Sequence, residues 1–305
     1  MTNTHDKLKF NILVVGLARN CEKHIAEAVS KISDSLSEFQ SVSWLVVESD
    51  SNDNTEQKLK EIGKSSPNFR HLSLGTLRDK LPLRTARIAH CRNKYLDEIN
   101  SNPIYQAIHY IIVADLDGAN SLISKNAVMS CFTQSNWDVC TANQRGPYYD
   151  IWALRHRHWS PNDCWEYYHF LLKIGIPEEK ALCNAILSRM ISVPPKQEWV
   201  EVDSAFGGFA IYRRSAIGEA RYFGLTENQT EICEHVTFHQ QLRSQGRKIY
   251  INPQLINCGW NEHSSQIRLW NRSLKRGKRL LKHFLFKFTT KERLIRIKSK
   301  IIQTE

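Results

Sequence analysis

The stretch Tyr110-Ile-Ile-Val-Ala-Asp-Leu-Asp117 decides the fold. Five apolar residues run without alternation and stop at two acids. A strand wet on one face alternates polar and apolar residues, so an unbroken run predicts a strand covered on both faces, as in a parallel sheet. Upstream, Phe10–Val15 is a similar run ending at Gly16, and Trp44–Val47 is another, ending in Glu48-Ser-Asp-Ser-Asn-Asp-Asn-Thr55. Between these two, Asn20 to Phe39 carries Ile25, Ala28, Val29, Ile32 and Leu36 at helical spacing. Thr55–Ile62 predicts a helix and Phe69–Leu74 a strand. Leu83–Ile99 predicts a helix with Ile88, Cys91, Tyr95 and Ile99 on one face. Past the central run, Ser124–Phe132 predicts a helix and Asp138–Ala142 a strand. This alternation implies a doubly wound α/β domain with a mostly parallel sheet. Ligands of such sheets sit beyond the carboxyl ends of the strands, and Gly16–Asn20, Glu48–Thr55 and Asp115–Asp117 all lie at such ends.

After residue 145 the pattern changes. Gly146–Trp165 is rich in Tyr, Trp, Arg and His, with Pro161 interrupting it, and Pro194-Pro195 marks another break. Val202–Tyr212 reads as a glycine-containing strand or loop, Cys233–Ser244 as a helix and Lys248–Ile251 as a last strand. The expected organisation is one domain over 1–265, in halves 1–145 and 146–265, and a separate tail over 266–305.

The chain has 305 residues, with 42 Lys+Arg against 31 Asp+Glu, a net charge of +11. Its 8 Trp, 10 Tyr and 12 Phe exclude a disordered chain, and 13 Gly with 9 Pro exclude a collagen-like one. The charge is local. Residues 1–265 hold 29 basic and 29 acidic residues, whereas 266–305 hold 13 basic ones and only Glu292 and Glu305 as acids. Leu274, Leu281, Leu285 and Phe288 recur among those cations at roughly helical spacing. Such a basic amphipathic helix suits an anionic membrane surface, or else a solvated helix packed on the body. Nucleic acid is not an expected partner, because the body adds no basic, aromatic-interleaved surface. No apolar run approaches the ~20 residues that span a bilayer, and the N-terminus carries no stretch that reads as a signal peptide. The eight cysteines form no C-x-x-C pair, which argues against zinc or redox motifs. The expected location is cytoplasmic, at the inner membrane face where the tail engages lipid.

Three features carry chemistry. Asp115 and Asp117, two residues apart at a strand end, can share a divalent cation, since Mg2+ and Mn2+ prefer carboxylate and phosphate oxygens. A metal there would neutralise a nucleotide diphosphate as it becomes a leaving group. Glu48, at the end of the second run, could accept hydrogen bonds from a base or ribose, while Asp53 and Thr55 start the next helix. Arg84 and Arg87, three apart on one helical face, would suit phosphates.

Together, a strand ending in Gly16-Leu-Ala-Arg-Asn20, a second ending in Val46-Val-Glu-Ser-Asp-Ser-Asn-Asp-Asn-Thr55, an Arg-rich helix with Arg92-Asn93, and Ala114-Asp-Leu-Asp117 resemble a GT-A glycosyltransferase over roughly residues 10–260. The second motif resembles the acidic turn of family 2 enzymes. Tyr149-Asp-Ile-Trp-Ala-Leu-Arg155 resembles fungal capsule α-1,3-mannosyltransferases and related bacterial polysaccharide transferases. The resemblance implies a Rossmann-like GT-A sheet with flanking helices, a UDP- or GDP-sugar donor, Mn2+ or Mg2+, and a saccharide acceptor, lipid-linked in surface polysaccharide or lipopolysaccharide synthesis. Gly16, Arg19, Asn20, Glu48 and Asp50 would then line the nucleoside pocket, and Arg87 and Asn93 would face the donor. Asp115 and Asp117 would form the metal motif. Trp152 and Arg155 would meet the acceptor.

Asp203-Ser-Ala-Phe-Gly-Gly-Phe resembles the glycine-containing segment beside the donor sugar, where Gly207 and Gly208 would permit close backbone approach. Glu234-His-Val-Thr-Phe-His-Gln-Gln-Leu resembles the family 2 segment that supplies the catalytic base, with His235 in place of its second acid. Glu234 is the expected base or acceptor ligand, and Asp203 the runner-up. The stereochemical outcome stays open. His263 resembles the late histidine that joins Asp117 on the metal in some GT-A enzymes. Rival readings are a sugar nucleotidyltransferase, whose G-x-G-T-R loop is not found at Gly16, and a non-catalytic membrane or nucleic-acid adaptor driven by the tail. A dinucleotide dehydrogenase fits less well, because no G-x-G-x-x-G follows the first strand.

Overall fold

The computed structural model describes residues 8–261 together with 264, 265 and 267. Contacts divide the chain into a unit through Asn261 and a second one after it. The basic tail expected over 266–305 lies outside the described residues, Ile267 excepted.

The body is built on one eight-stranded sheet. Its strands are β1 (Leu8–Ala18), β2 (Phe39–Glu48), β3 (Phe69–Ser73), β4 (Tyr110–Ala114), β5 (Val139–Gln144), β6 (Val200–Val202), β7 (Phe209–Arg213) and β8 (Ile249–Cys258). Their order in space is β3-β2-β1-β4-β7-β5-β8-β6. The pairs β3–β2, β2–β1, β1–β4 and β5–β8 are parallel, whereas β7 and β6 run antiparallel to their neighbours. The mostly parallel α/β sheet read from the sequence is therefore present. The β1–β4 junction, where strand order reverses, is its switch point.

The helices are α1 (Ile25–Ser35), α2 (Thr55–Ser65), α3 (Arg84–Ser101), α4 (Lys125–Met129), α5 (Cys164–Lys173), α6 (Glu178–Ala185), α7 (Arg214–Ile217) and α8 (Glu234–Ser244). Alternate residues of β1 explain why its run is unbroken. Ile12 and Val14 join a core with Ile25, Ile32 and Leu36 of α1 and Leu59 of α2. Leu13 and Val15 point the other way and are equally buried, on the side where α3 packs on β1 and β2. A one-residue register slip would swap two apolar sets rather than expose one, so register must also be fixed at the strand ends. Polar side chains there supply that constraint.

The second half departs from the simple reading. Val202–Tyr212 divides into β6 and β7, with Gly207 (φ +70°) and Gly208 (φ +87°) in the crossing between them. The last strand extends to Cys258, seven residues past its expected end. The α5–α6 pair follows the aromatic stretch, with Asp163 Oδ1 capping α5 through the N–H groups of Trp165 (2.9 Å) and Glu166 (3.2 Å). No described helix is long and apolar enough to cross a membrane.

Candidate functional site

The loops following β1 and β2 are laced to each other. Asn52 N–H donates to Asn20 Oδ1 (2.7 Å), Cys21 N–H to Thr55 Oγ1 (2.8 Å), Glu22 N–H to Asp53 Oδ2 (3.2 Å) and Asn54 N–H to Glu22 Oε2 (2.7 Å). Asp53 is held below the usual carboxylate range. Desolvation opposes this, but the Thr55 hydroxyl and N–H and the Glu22 N–H outweigh it. Asn20 (φ 50°) and Asp50 (φ 58°) both adopt the left-handed region. Side-chain residues rarely do so away from turns and functional sites.

Glu48 is buried, accepting from Ser51 N–H (3.1 Å) and Ser73 Oγ–H (2.6 Å). Asp50 Oδ1 accepts the N–H groups of Leu77 (2.9 Å) and Arg78 (3.0 Å), while its buried Oδ2 takes no hydrogen bond. Arg87 Nε is 3.7 Å from that Oδ2, and Arg87 Nη1 donates to the carbonyls of Leu81 and Pro82, each at 2.7 Å. Arg19 donates from Nε to the Asp50 carbonyl (3.3 Å). Gly16 is a packing requirement, because a Cβ there would lie 2.7 Å from Leu116 Cδ1 and 2.8 Å from the Ala114 carbonyl. The missing side chain lets β1 press against the end of β4.

At that end the main chain of Asp115 donates to the Gly208 carbonyl (2.9 Å). Asn120 Nδ2 bridges the carbonyls of Asp115 (2.8 Å) and Gly208 (3.0 Å), and Asn257 Nδ2 joins Asn120 Oδ1 (2.9 Å) to the Gly207 carbonyl (2.7 Å). Gly207 N–H donates to Asp150 Oδ2 (2.9 Å). A Cβ on Gly207 would stand 2.6 Å from Gln144 Nε2. The Asp115 loop, the two glycines and the end of β8 thus form one buried polar network, which fixes relative positions better than apolar packing would.

The Asp115 carboxylate accepts no hydrogen bond among the described residues. Burial first, then the charges of Asp117, Asp150 and Glu234, push its carboxyl up to about 8, with Arg92 opposing. Asp117 is exposed, and its Oδ1 accepts the Ala119 N–H (3.2 Å). The pair fits a hard divalent cation, being oxygen-only, crowded with negative charge and short of protein donors. Two carboxylates do not complete a coordination shell, and no group of three or more His, Cys, Asp or Glu among the described residues could hold a metal. His263, the expected further ligand, lies outside the described residues.

Arg92 is the site residue given no role from sequence. It is 5 % exposed, donates from Nε to Glu234 Oε1 (2.9 Å), and lies over the rings of Phe206 (5.4 Å) and Tyr222 (5.6 Å). Burial works against its charge, but Tyr95, Glu234, Tyr222 and Asp115 hold it more firmly protonated than a free guanidinium. The signal was available: residues 88, 92, 95 and 99 follow the apolar stripe of α3, so Arg92 is a cation on a buried face and needs a partner. His235 stacks on Phe206 (3.9 Å between centroids, 20° between planes), and its ring nitrogens take no hydrogen bond. Burial, then Arg92, drives its pKa well below the usual value, so it is a neutral ring and no substitute for an acid.

Several expected residues serve elsewhere. Arg84 and Arg87 do not form one phosphate clamp, since Arg84 is exposed while Arg87 is buried and holds Asp50 and two carbonyls. Asn93 spends both ends of its amide on the Tyr222 backbone, each at 2.9 Å. Trp152 Nε1 (3.1 Å) and Arg155 Nη2 (2.5 Å) both donate to Asp163 Oδ2, so they fasten their segment to the start of α5. Asp203 is not beside Asp115. It follows β6 at the level of Ile249, the first residue of β8, and pairs with Arg243 (3.6 Å) on α8. Arg243 lies nine residues beyond Glu234, ~13 Å along the helix.

No protein-family model and no curated protein matches the sequence. Among solved structures, the chain is similar to the mannosyltransferase PcManGT from Pyrobaculum calidifontis in complex with GDP-Man and Mn2+, at 11 % identity and a TM-score of 0.47, over 82 % of this chain and 57 % of that one. It is similar to S. aureus TarS (residues 1–349) at 15 % identity and 0.45, over 80 % and 58 %. It is also similar to glucosyl-3-phosphoglycerate synthase from Mycobacterium tuberculosis in complex with UDP, at 15 % and 0.39, over 82 % and 69 %. The chain spans less than two thirds of the first two proteins.

Proposed function

We propose that this chain is a GT-A glycosyltransferase that moves a sugar from a nucleoside diphosphate to a saccharide hydroxyl. The observation that carries the reading is the gathering of the β1, β2 and β4 loops, with Gly207 and Gly208, around a carboxylate pair whose inner member accepts no hydrogen bond among the described residues. Asp50 Oδ2, buried and without a hydrogen bond, is an acceptor suited to a base that offers N–H. Arg19, which donates to the Asp50 carbonyl, Asn20 and Glu48 would complete the nucleoside pocket. Asp115 and Asp117 would hold Mn2+ or Mg2+, which when bound supplies charge neutralisation for the departing diphosphate. Gly207 and Gly208, whose missing Cβ atoms make room for Gln144 and Tyr149, would let the backbone run close to the donor sugar. Glu234 is the carboxylate placed to take the acceptor proton. Arg92 fixes its Oε1, while among the described residues Oε2 meets Cys233 Sγ, at 4.0 Å. The acceptor oxygen bonds to the anomeric carbon, the bond from that carbon to phosphate breaks, the nucleoside diphosphate leaves, and the proton passes to Glu234.

The acceptor is proposed to be a saccharide, lipid-linked in surface polysaccharide assembly, with the cationic tail against anionic lipid. The test is turnover of a panel of UDP- and GDP-sugars with Mn2+, reading nucleoside diphosphate release. Asp117→Ala turning over donor like the wild type would overturn the reading. Release of pyrophosphate instead would point to a nucleotidyltransferase.

A further inference from the structure

At the edge of the sheet away from Asp115, the described residues hold an open cavity of about 490 Å3. Phe10 near the start of β1, Tyr110 at the start of β4 and Arg213 at the end of the antiparallel β7 line it, together with His109, Arg214 and Ser215. Tyr110 and Asp115 are five residues apart on one extended segment, ~16 Å, so this opening is separate from the carboxylate pair.

Among the described residues, its two arginines meet only neutral partners. Arg213 donates from Nε to the Trp137 carbonyl (2.7 Å), from Nη2 to the Ser135 carbonyl (2.9 Å) and from Nη1 to Tyr110 Oη (3.2 Å), with its face over the Trp137 ring (4.9 Å). Arg214 donates to the carbonyls of Tyr105 and Ile99, the second at 3.4 Å, and so closes the end of α3. Carbonyls and a phenol accept hydrogen bonds but cancel no charge. Asp138 does not supply the missing anion, since its carboxylate takes the Lys248 N–H (2.9 Å) and faces Arg247 (3.8 Å). A guanidinium carries five N–H groups, so both arginines keep donors in hand. His109 adds another. Its Nδ1 accepts the Asn11 N–H (3.0 Å), which places the hydrogen of the neutral ring on Nε2. His109 and Ser215 are both exposed. The remaining wall is aromatic, with Phe10 held edge-on to Tyr110 (5.1 Å, 78°) and stacked on Phe132 (6.1 Å, 27°).

We propose that this cavity is an anion site separate from Asp115, and that it takes a soluble phosphate monoester whose organic ring lies against Phe10. A phosphate monoester carries nearly two negative charges at neutral pH and three acceptor oxygens, enough for two guanidinium edges and the His109 N–H at once. A carboxylate brings one charge and would leave part of the wall unmatched. The planar fork of arginine suits phosphate geometry. The volume lies in the range of small-molecule sites, and the pairing of cationic wall with aromatic wall suits a ligand that is charged at one end and apolar at the other. None of this depends on the glycosyltransferase reading.

Calorimetric titration of the full chain, without metal, uses phenyl phosphate and inorganic phosphate as probes. Both are expected to bind the wild type, phenyl phosphate about tenfold more tightly, the ratio that one aromatic contact gives. Both weaken as salt is raised. His109→Gln lowers both affinities about tenfold, as loss of one hydrogen bond to a charged group does. Phe10→Leu removes the preference for phenyl phosphate and leaves inorganic phosphate unchanged. Arg214 closes α3, so the test is carried by His109 and Ser215, whose side chains are exposed, and melting temperatures show that the variants fold. Absence of binding by either probe in the wild type overturns the site, as do wild-type affinities in the His109→Gln/Ser215→Ala double variant. Equal affinities for the two probes in the wild type overturn the place given to Phe10. Vesicles of phosphatidic acid present the same monoester on a lipid surface. Sedimentation with them that depends on His109, without binding of phenyl phosphate, overturns the soluble ester in favour of a lipid headgroup.

Discussion

Acidification should expose the cost of a histidine buried without charge. His239 is fully buried on α8, with Nδ1 2.9 Å from Ser204 Oγ and Nε2 2.8 Å from Tyr212 Oη. A neutral ring satisfies both hydroxyls, donating to one and accepting from the other. A protonated ring would have to be desolvated as a cation, with Arg92 nearby. Burial first, then Arg92, accordingly push its pKa down from 6.5 to about 3. Between those values the unfolded chain binds a proton that the folded chain refuses, so this group's contribution to stability falls as pH falls. At pH 5 the loss is about 2 kcal/mol, rising to about 4 kcal/mol near pH 3, at 1.36 kcal/mol per unit. The wild-type curve alone does not isolate it. The Asp115 carboxyl, pushed up to about 8, acts with the opposite sign, because the folded state gains that proton first. The difference between wild type and His239→Gln removes the Asp115 contribution. In urea unfolding, the variant should be less stable by about 1–3 kcal/mol at pH 7.5, from its lost hydrogen bonds. That gap should narrow by about 2 kcal/mol at pH 5, because only the wild type pays for the proton. A gap constant to within about 0.5 kcal/mol would refute the account, since effects of that size are ordinary non-additivity.

Gly224→Ala should destabilise the fold by about 3 kcal/mol or more, because its Cβ would run into the Thr85 carbonyl and stand 2.6 Å from Ala86 N, both backbone that cannot yield; thermal unfolding reads this. Glu234→Ala strands the buried Arg92 charge and should cost about 3–5 kcal/mol, with Arg92→Met/Glu234→Leu recovering much of it, as a denaturant double-mutant cycle would measure. Asp115→Asn and Asp117→Asn should each lower Mn2+-dependent nucleoside diphosphate release about 100-fold while leaving the melting temperature without metal unchanged or raised, since each relieves like-charge crowding.

The first half of the fold was legible because its strands are buried on both faces, and such strands announce themselves as runs. Tyr110–Ala114 matched to the residue, since Asp115 ends the apolar run where the strand itself stops. β7 was harder. Phe209–Arg213 reads like any buried strand, and nothing within it reveals that it enters antiparallel between β4 and β5. That choice is made by long-range pairing, to which local periodicity is blind. Asp115 and Asp117 follow β4 directly, the strand-end position expected of them. Arg155 and Trp152 misled because their residue types suit sugars and phosphates, whereas Asp163, eight residues after Arg155, binds both. A sequence shows what a side chain can do and not which neighbour has already engaged it.

The distribution of engaged and open groups also constrains how a donor would arrive. Arg87 is committed to Asp50 and two carbonyls, and Arg92 to Glu234. Both guanidinium groups have their hydrogen bonds engaged elsewhere; Arg92 still lowers the Asp115 pKa, but burial and the charges of Asp117, Asp150 and Glu234 outweigh it. A diphosphate entering without a cation would meet the charge of Asp117 and an Asp115 that, pushed up to about 8, would resist losing its proton beside a further anion. A divalent cation held by Asp115 and Asp117 would supply the positive charge that reverses the sign of the interaction. Donor and cation should therefore bind as thermodynamically coupled ligands, each raising the affinity of the other by the same factor. Under the proposed function, the burial and acidic crowding that raise the Asp115 pKa without metal would also favour a metal-complexed donor over a free one.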